Sequence, residues 1–496
     1  MNGVAHRVFL SLGVVSLFAC SARSEPAPEW EVANDQTPRT AAARGLRPGG
    51  DTTVLLGPSP SLVLPAANLD DAGKAAFYAG KALATQPWVR APTLTDARDG
   101  LGPLYHARSC LACHVKGGRG PASDPNGPGL ATLVRLSRPG RGPHTEPIPD
   151  PVYGTQLQPQ STALSHQLRG RAGADSYADQ GVAIEANVRM SWTSQPFAYP
   201  DGTTLALQTP KLELSQWGYG PLEEDTRAAL RHTPSLAGVG LIELIAQADL
   251  ERAADPDDRD GDGISGRVNR VWDPEMRTMR PGRFGLKANQ PSVRVQVAGA
   301  LSGDMGLSSP VFPDQPCTAL QPRCLAAPTG NDAEGFEVPE SILASMVFFT
   351  MSIGVPPRRR PDDPLVMRGQ GLFDTAGCGD CHTPRHVTGV DDQYPHLSEQ
   401  DIWPYSDLLL HDMGPHLADG REDFLATGQE WRTPPLWGAG LARAMHARVG
   451  FLHDGRARTI EEAIVWHDGE ALASRVRYAE LGADDRRALV AFVRSL

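Results

Sequence analysis

Cys110-Leu111-Ala112-Cys113-His114 and Cys378-Gly379-Asp380-Cys381-His382 are two copies of one pattern, C-x-x-C-H. In this pattern two thiols add across the vinyl groups of haem, and the imidazole that follows reaches the iron from one side. One helical turn puts both sulfurs and the ring on the same edge and face of the porphyrin. Zinc sites and redox pairs also use C-x-x-C, but they do not need the histidine that both copies carry. Two covalently bound haem c groups are therefore expected, attached at Cys110, Cys113, Cys378 and Cys381, with His114 and His382 as proximal ligands.

The remaining cysteines agree with the compartment in which such attachment occurs. The chain has seven, leaving Cys20, Cys317 and Cys324. Cys317 and Cys324 flank a short turn-capable loop that a disulfide can close in an oxidising environment. At the N-terminus Arg7 precedes an apolar run from Val8 to Phe18, too short for a permanent span and suited to an export signal over residues 1–19. Leu17-Phe18-Ala19-Cys20 resembles a lipoprotein cleavage box with a bulky Phe18, so Cys20 is either a lipid anchor to a membrane or a thiol left by ordinary cleavage. Periplasmic location is expected in both cases.

The 496 residues are long for one domain. With 40% hydrophobic and 21% charged residues the composition is globular, while 44 prolines and 51 glycines call for much loop. The net charge of −11 gives no reason to expect a nucleic-acid partner. Residues 20–65 lack periodicity and suit a flexible tether. A helix is expected from Asp70, with Ala76, Ala79 and Leu83 on its apolar face, and another after Pro339, carrying Ile342, Met346, Phe349 and Ile353. Pro356-Pro357-Arg358-Arg359-Arg360-Pro361 is a break no helix crosses. Beyond it Leu489, Phe492, Val493 and Leu496 recur at helical spacing, with Asp484 and Asp485 in the first turn. The expected fold is mainly α: an N-terminal haem domain with insertions (66–357) and a C-terminal cytochrome c-like haem domain (358–496), with long loops and few short strands. Arg231-His232-Thr233-Pro234 and Arg432-Thr433-Pro434, each downstream of a motif, hint at a repeat of the two halves.

Between and after the motifs lie Gly238-Val239-Gly240-Leu241-Ile242-Glu243, Asp260-Gly261-Asp262-Gly263-Ile264-Ser265-Gly266-Arg267, Gly282-Arg283-Phe284-Gly285, Leu410-His411-Asp412-Met413-Gly414, Arg432-Thr433-Pro434-Pro435-Leu436-Trp437-Gly438 and Phe451-Leu452-His453-Asp454-Gly455-Arg456. With these strings the chain, from about residue 68 onward, resembles the di-haem oxidoreductases of the peroxidase type, also labelled thiol oxidoreductases, relatives of bacterial di-haem cytochrome c peroxidases. The resemblance implies two haems with unequal roles, one six-coordinate and relaying electrons, the other with an openable face where peroxide is reduced. The peroxidases' distal acid does not align well here; Glu243 is the nearest candidate and His232 the second. In the peroxidases a helix after the His-Asp-Gly string presents a methionine to the C-terminal haem, and in a related cofactor-maturing enzyme a tyrosine. Here that position falls on His467, which implies a bis-histidine centre of His382 and His467, with Met413 and His453 as the other candidates.

Arg432 and Arg456 suit haem propionates, because guanidinium pairs with carboxylate bidentately. Trp437 and Trp466 stand either beside the haems or in the core. Asp258, Asp260 and Asp262 followed by Gly263 open like a calcium loop, but Asn269 occupies the position of its closing Glu, so the trio is either a calcium site or a solvated acidic turn. Three functions stay in view: a di-haem enzyme taking electrons from a small redox protein or quinol-linked donor to peroxide or another small oxidant, a passive electron carrier, and a redox sensor.

Overall fold

The computed structural model describes residues 46–57, 60–94, 96–122, 129–162 and 182–496. The export segment, Cys20 and most of the expected tether lie outside the described residues. The folded body starts earlier than lack of periodicity suggests, because the described residues 46–57 and 60–65 pack against it, beginning with a 3-10 turn at Gly50–Thr52. Val54 N–H donates to Val355 O, Pro65 bridges Ile353, and Leu62 and Val63 are buried.

The framing helices are α1 (Asp71–Thr85), α2 (Val293–Met305), α3 (Glu340–Met351), α4 (Pro364–Thr375), α5 (Ile460–Val465), α6 (Leu472–Glu480) and α7 (Ala483–Ser495). Asp70 caps α1 by accepting from Gly73 N–H at 2.7 Å. Its buried stripe is Phe77, Gly80 and Ala84 rather than the expected Ala76, Ala79 and Leu83. The offset follows from packing: Gly80 lies against the backbone of Ser345 in α3, where a Cβ would come within 2.1 Å of the carbonyl oxygen. α7 forms where the apolar periodicity places it, and α3 does so through Phe349 but ends at Met351, leaving Ile353 beyond it as a bridge to Pro65; the Pro356–Pro361 stretch contains no helix.

Among the described residues helix takes 29% and strand 19%, the strands forming small sheets and no barrel. The expectation of few, short strands is corrected by β1 (Thr132–Arg141), β2 (Asn187–Ala198), β3 (Thr204–Ser215) and β4 (Arg227–His232). β2 and β3 form a twelve-residue antiparallel hairpin, and β1 pairs with β4. At the hairpin's base Val188 faces Leu214 and Met190 faces Leu212, over a core that includes Leu136, Tyr153 and Leu157. Its tip reaches the C-terminal helices: Tyr199 Oη donates to Glu461 at 2.9 Å, and Arg486 bonds Asp201 at 2.7 Å and lies over the Tyr199 ring.

One core gathers Phe77, Trp88, Leu241, Leu301 and Phe349 with Leu397, Ile402 and Trp437, so its side chains come from both sides of Pro356–Pro361. A second joins Phe373, Tyr405, Val465, Leu489 and Phe492 with Tyr199 and Leu207 of the hairpin tip. Within it α4 crosses α7 closely enough that a Cβ on Gly369 would stand 1.9 Å from Ala488 O. Gly369→Ala is expected to force the helices apart and cost about 1–3 kcal/mol, read as a lower thermal midpoint with unchanged cofactor content. Cys317 and Cys324 are disulfide-bonded, as the sequence suggests. Among the described residues no helix is long and apolar enough to cross a membrane.

Candidate haem-binding site

Both motifs open onto one cavity of about 500 Å³ whose walls include Cys110, Cys113, His114, Cys378, Cys381 and His382. Cys110–Cys113 form a single helical turn and Cys378–Asp380 a 3-10 turn, so each histidine follows its thiols directly around the bend. His114 Nδ1 bonds Pro234 O at 2.9 Å, and His382 Nδ1 bonds Tyr405 O at 2.9 Å. A carbonyl can only accept, so each Nδ1 carries the proton and each Nε2 is left as the lone-pair nitrogen. That tautomer, oriented by a backbone carbonyl, is the one that ligates metal. Burial pushes both imidazoles down, His382 to about 4, and so keeps them neutral as ligands must be. Burial likewise holds Cys110 and Cys378 as neutral thiols, each pushed up to about 12. The residues present therefore fit haem.

His467 is half-buried just past the C-terminal end of α5, with Nδ1 bonded to Ala463 O at 2.7 Å and Nε2 again left over. Its ring centroid is 6.5 Å from that of His382, and both rings line the cavity. Two metal–nitrogen bonds of about 2 Å plus half of each ring fill such a gap. The other candidates, Met413 and His453, both line the cavity, and His453 is stacked on Trp431 with centroids 3.7 Å apart and lies near Asp454. Among the described residues no ring stands opposite His114 as His467 stands opposite His382, though Met305 and Met346 are in the wall.

Glu243 is a correction. It is not a wall residue; its carboxylate accepts from Val293 N–H at 2.7 Å and so caps the start of α2. The capped amide lies far along the chain, which hid this role. His232 does line the cavity, but both ring nitrogens are engaged, with Thr132 Oγ1 at 3.0 Å and Gly120 O at 3.1 Å. Burial, helped by Arg119, pushes it down to about 3; burial takes His453 to about 4. Because the unfolded chain binds protons at these imidazoles below about pH 6.5 and the folded chain does not, stability should fall as pH drops from about 6.5 toward 4. Denaturant midpoints stepped through that range check this, and the loss should shrink in His453→Gln.

Arg432 is in the wall, pushed down to about 10 by burial, and bonds Gly285 O and Thr433 O. Arg456 is corrected: it is no wall residue, since Asp454 holds it at 2.7 Å over the Trp466 ring. Trp437 lines the cavity and donates to Ala237 O, whereas Trp466 does not line it. Sequence reasoning missed Arg135 and Asp304, which also line the cavity. It missed Trp431 as well, whose ring has Lys287 Nζ at 4.1 Å and the Arg231 guanidinium at 4.9 Å. Cations over the face of that ring oppose removing an electron from it.

The most strongly paired histidine of the site is His411, on a short strand Leu410–Asp412 paired with Glu430–Arg432. Nε2 stands 2.8 Å from Asp407 and Nδ1 2.7 Å from Glu470, with Cys381 Sγ 3.7 Å away. Burial alone would lower it, but these acceptors override burial and raise it to about 12, so the ring is an imidazolium donating from both nitrogens.

Asp258, Asp260 and Asp262 bring carboxylate oxygens within 4.8 Å of one another on the surface. Asn269 does not close the loop: its buried amide donates to Lys287 O and Asp423 O and accepts from Leu425 N–H.

The fold brings both C-x-x-C-H turns, with their neutral imidazoles, to one shared cavity, the arrangement of a haem-binding redox protein. Residues 44–496 match the family described as "Di-haem oxidoreductase, putative peroxidase", and the chain belongs to it. Haem is thus its cofactor and redox chemistry its class of activity. No curated protein matches. Among solved structures, hydrazine synthase of Kuenenia stuttgartiensis, studied under xenon pressure, is 13% identical, with 98% of this chain and 100% of that chain covered at a TM-score of 0.32, too low to carry an argument.

Proposed function

We propose that the chain is an exported c-type di-haem oxidoreductase that passes electrons through a C-terminal bis-histidine haem to an N-terminal haem, where peroxide or another small oxidant is reduced. The observation that carries this is the pair His382 and His467, 6.5 Å apart with each Nδ1 tied to a carbonyl, against a His114 with no imidazole facing it among the described residues. With haem bound, His382 and His467 would hold one iron from both sides, while His114 would hold the other from one side and leave its opposite side for a small oxidant. Haem, when bound, supplies the iron that changes oxidation state. The chain's own work is to hold three imidazoles neutral and oriented, to line the cavity with apolar side chains that exclude water, and to place Arg432 and Arg135 where carboxylates can be met. Steady-state reduction of peroxide by a reduced small redox protein tests this reading, and a second-order reaction at only one haem is expected.

A passive electron carrier is the second reading, favoured by Met305 and Met346 in the wall, either of which would close the N-terminal iron. Export, lipid attachment at Cys20 and a periplasmic site with a quinol-linked or protein donor belong to the same proposal, supported by the N-terminal sequence and the Cys317–Cys324 disulfide. Calcium is proposed only as a weak ligand of Asp258, Asp260 and Asp262, since three carboxylates on an exposed turn supply about half the oxygens the ion takes. Chelation should shift the thermal midpoint little, and elemental analysis after dialysis against calcium reads the occupancy.

A further inference from the structure

His411 is unused by the function proposed above, yet it joins the two segments that present the axial histidines. Asp407 lies two residues after Tyr405, whose carbonyl orients His382, and its own N–H donates to Cys381 O at 3.0 Å. Glu470 lies three residues after His467. The His411 ring spans the space between them, 2.8 Å from Asp407 Oδ2 and 2.7 Å from Glu470 Oε2. All three side chains are at most 10% exposed. Each carboxylate is held from a second direction: Asp407 Oδ1 accepts from Leu409 N–H at 3.0 Å, and Glu470 Oε1 from Ser265 Oγ at 2.7 Å and Asp412 N–H at 3.2 Å. The ring itself is seated on the paired strands, and Gly266 abuts it so closely that a Cβ there would meet His411 Cε1 at 2.6 Å. Without the ring, two buried carboxylates would face one another with no cation between them.

We propose that His411 is the positioning residue that clasps the His382 side of the C-terminal haem to the His467 side, through Asp407 and Glu470, and so keeps that iron closed to outside ligands. This rests on His467 being the sixth ligand. The α5 helix has only six residues, and the short segment after it carries both His467 and Glu470; Glu470 fastens that segment to the His382 side, while Asp468 between them is held by His416 Nδ1 at 2.6 Å. Loss of a charge-assisted hydrogen bond there frees the turn, and the iron then exchanges His467 for a diffusing ligand.

The test uses the holoprotein and cyanide as the probe, with uptake at each ferric haem followed by its low-spin spectrum. In the native chain the C-terminal haem should take up no cyanide while the N-terminal haem does. In His411→Gln and in Glu470→Gln, which keeps volume and leaves the His411–Asp407 contact, cyanide affinity at the C-terminal haem should rise on the order of 10- to 100-fold. The ferric spectrum should also show altered axial geometry before cyanide is added. Gly369→Ala, destabilised but far from the clasp in its contacts, is the control and should leave that haem closed. Unchanged cyanide affinity and spectrum in both clasp variants would overturn the proposal, as would equal opening in Gly369→Ala, which would mark general loosening. A His467→Ala variant separates the premise: if it loses the low-spin signal while the clasp variants stay closed, only the clasp fails; if it keeps the signal, the ligand reading fails and takes the clasp with it.

Discussion

His467→Ala should remove the low-spin signal of one of the two ferric haems entirely and leave the other unaltered. Few single substitutions should change the protein more. The imidazole is half-buried, its Nδ1 is committed to Ala463 O, and the other ring at a comparable distance from His382, that of Phe373 at 6.3 Å, has no atom that could bind iron. Alanine leaves a space that water or cyanide fills, so the iron becomes high-spin or takes up added ligand. His467→Met keeps a ligand of similar reach but replaces imidazole with thioether, which favours ferrous iron; the potential of the same haem should rise. An absorption titration at stepped potentials reads both variants. An unchanged low-spin spectrum in His467→Ala would shift the assignment to Met413, which also lines the cavity.

The second large effect is expected on cofactor content. On the proposed c-type attachment, Cys378→Ala with Cys381→Ala should lower covalently bound haem from two per chain to one, because thioether bonds at Cys110 and Cys113 would form independently of the second pair. Intact mass under denaturing conditions reads the number directly. Thermal stability should fall as well: Phe373, Leu489 and Val493 line the cavity and belong to the second core, so losing the group that fills it strips their packing partner. A variant that still carries two covalent haems would mean that attachment occurs elsewhere.

The disulfide and α7 are legible in the sequence because each is a local pattern of residue types at a set spacing, and the two C-x-x-C-H turns that open onto the cavity are marked in the same way; His467 is singled out only by the family resemblance. What stayed hidden is made by backbone groups or by distance. The carbonyls of Pro234 and Tyr405, which set the tautomer of the proximal histidines, leave no mark in residue identity. Glu243 looked like a pocket acid because its string is shared with the resembling family, but its partner is the amide of Val293 on a separate helix. The β2–β3 hairpin leaves a weak strand signal because its base and its tip alternate into two separate cores, and between them Pro196 stands opposite Ala206 and Pro210 opposite Trp192. The His411 clasp draws on residues 407 and 470, which only the fold brings together. The Phe77 stripe of α1 was displaced by one position because Gly80, with no apolar side chain to count, is the closest point of contact with α3.

The most direct test of unequal haems is a low-temperature spin-state spectrum of the ferric holoprotein, taken before and after addition of peroxide. One low-spin six-coordinate haem that peroxide does not touch directly, beside a second haem that binds added ligand and reacts, is the predicted result. Two haems that stay six-coordinate and low-spin in every oxidation state, with no reaction on peroxide addition, would contradict it and leave the chain an electron carrier.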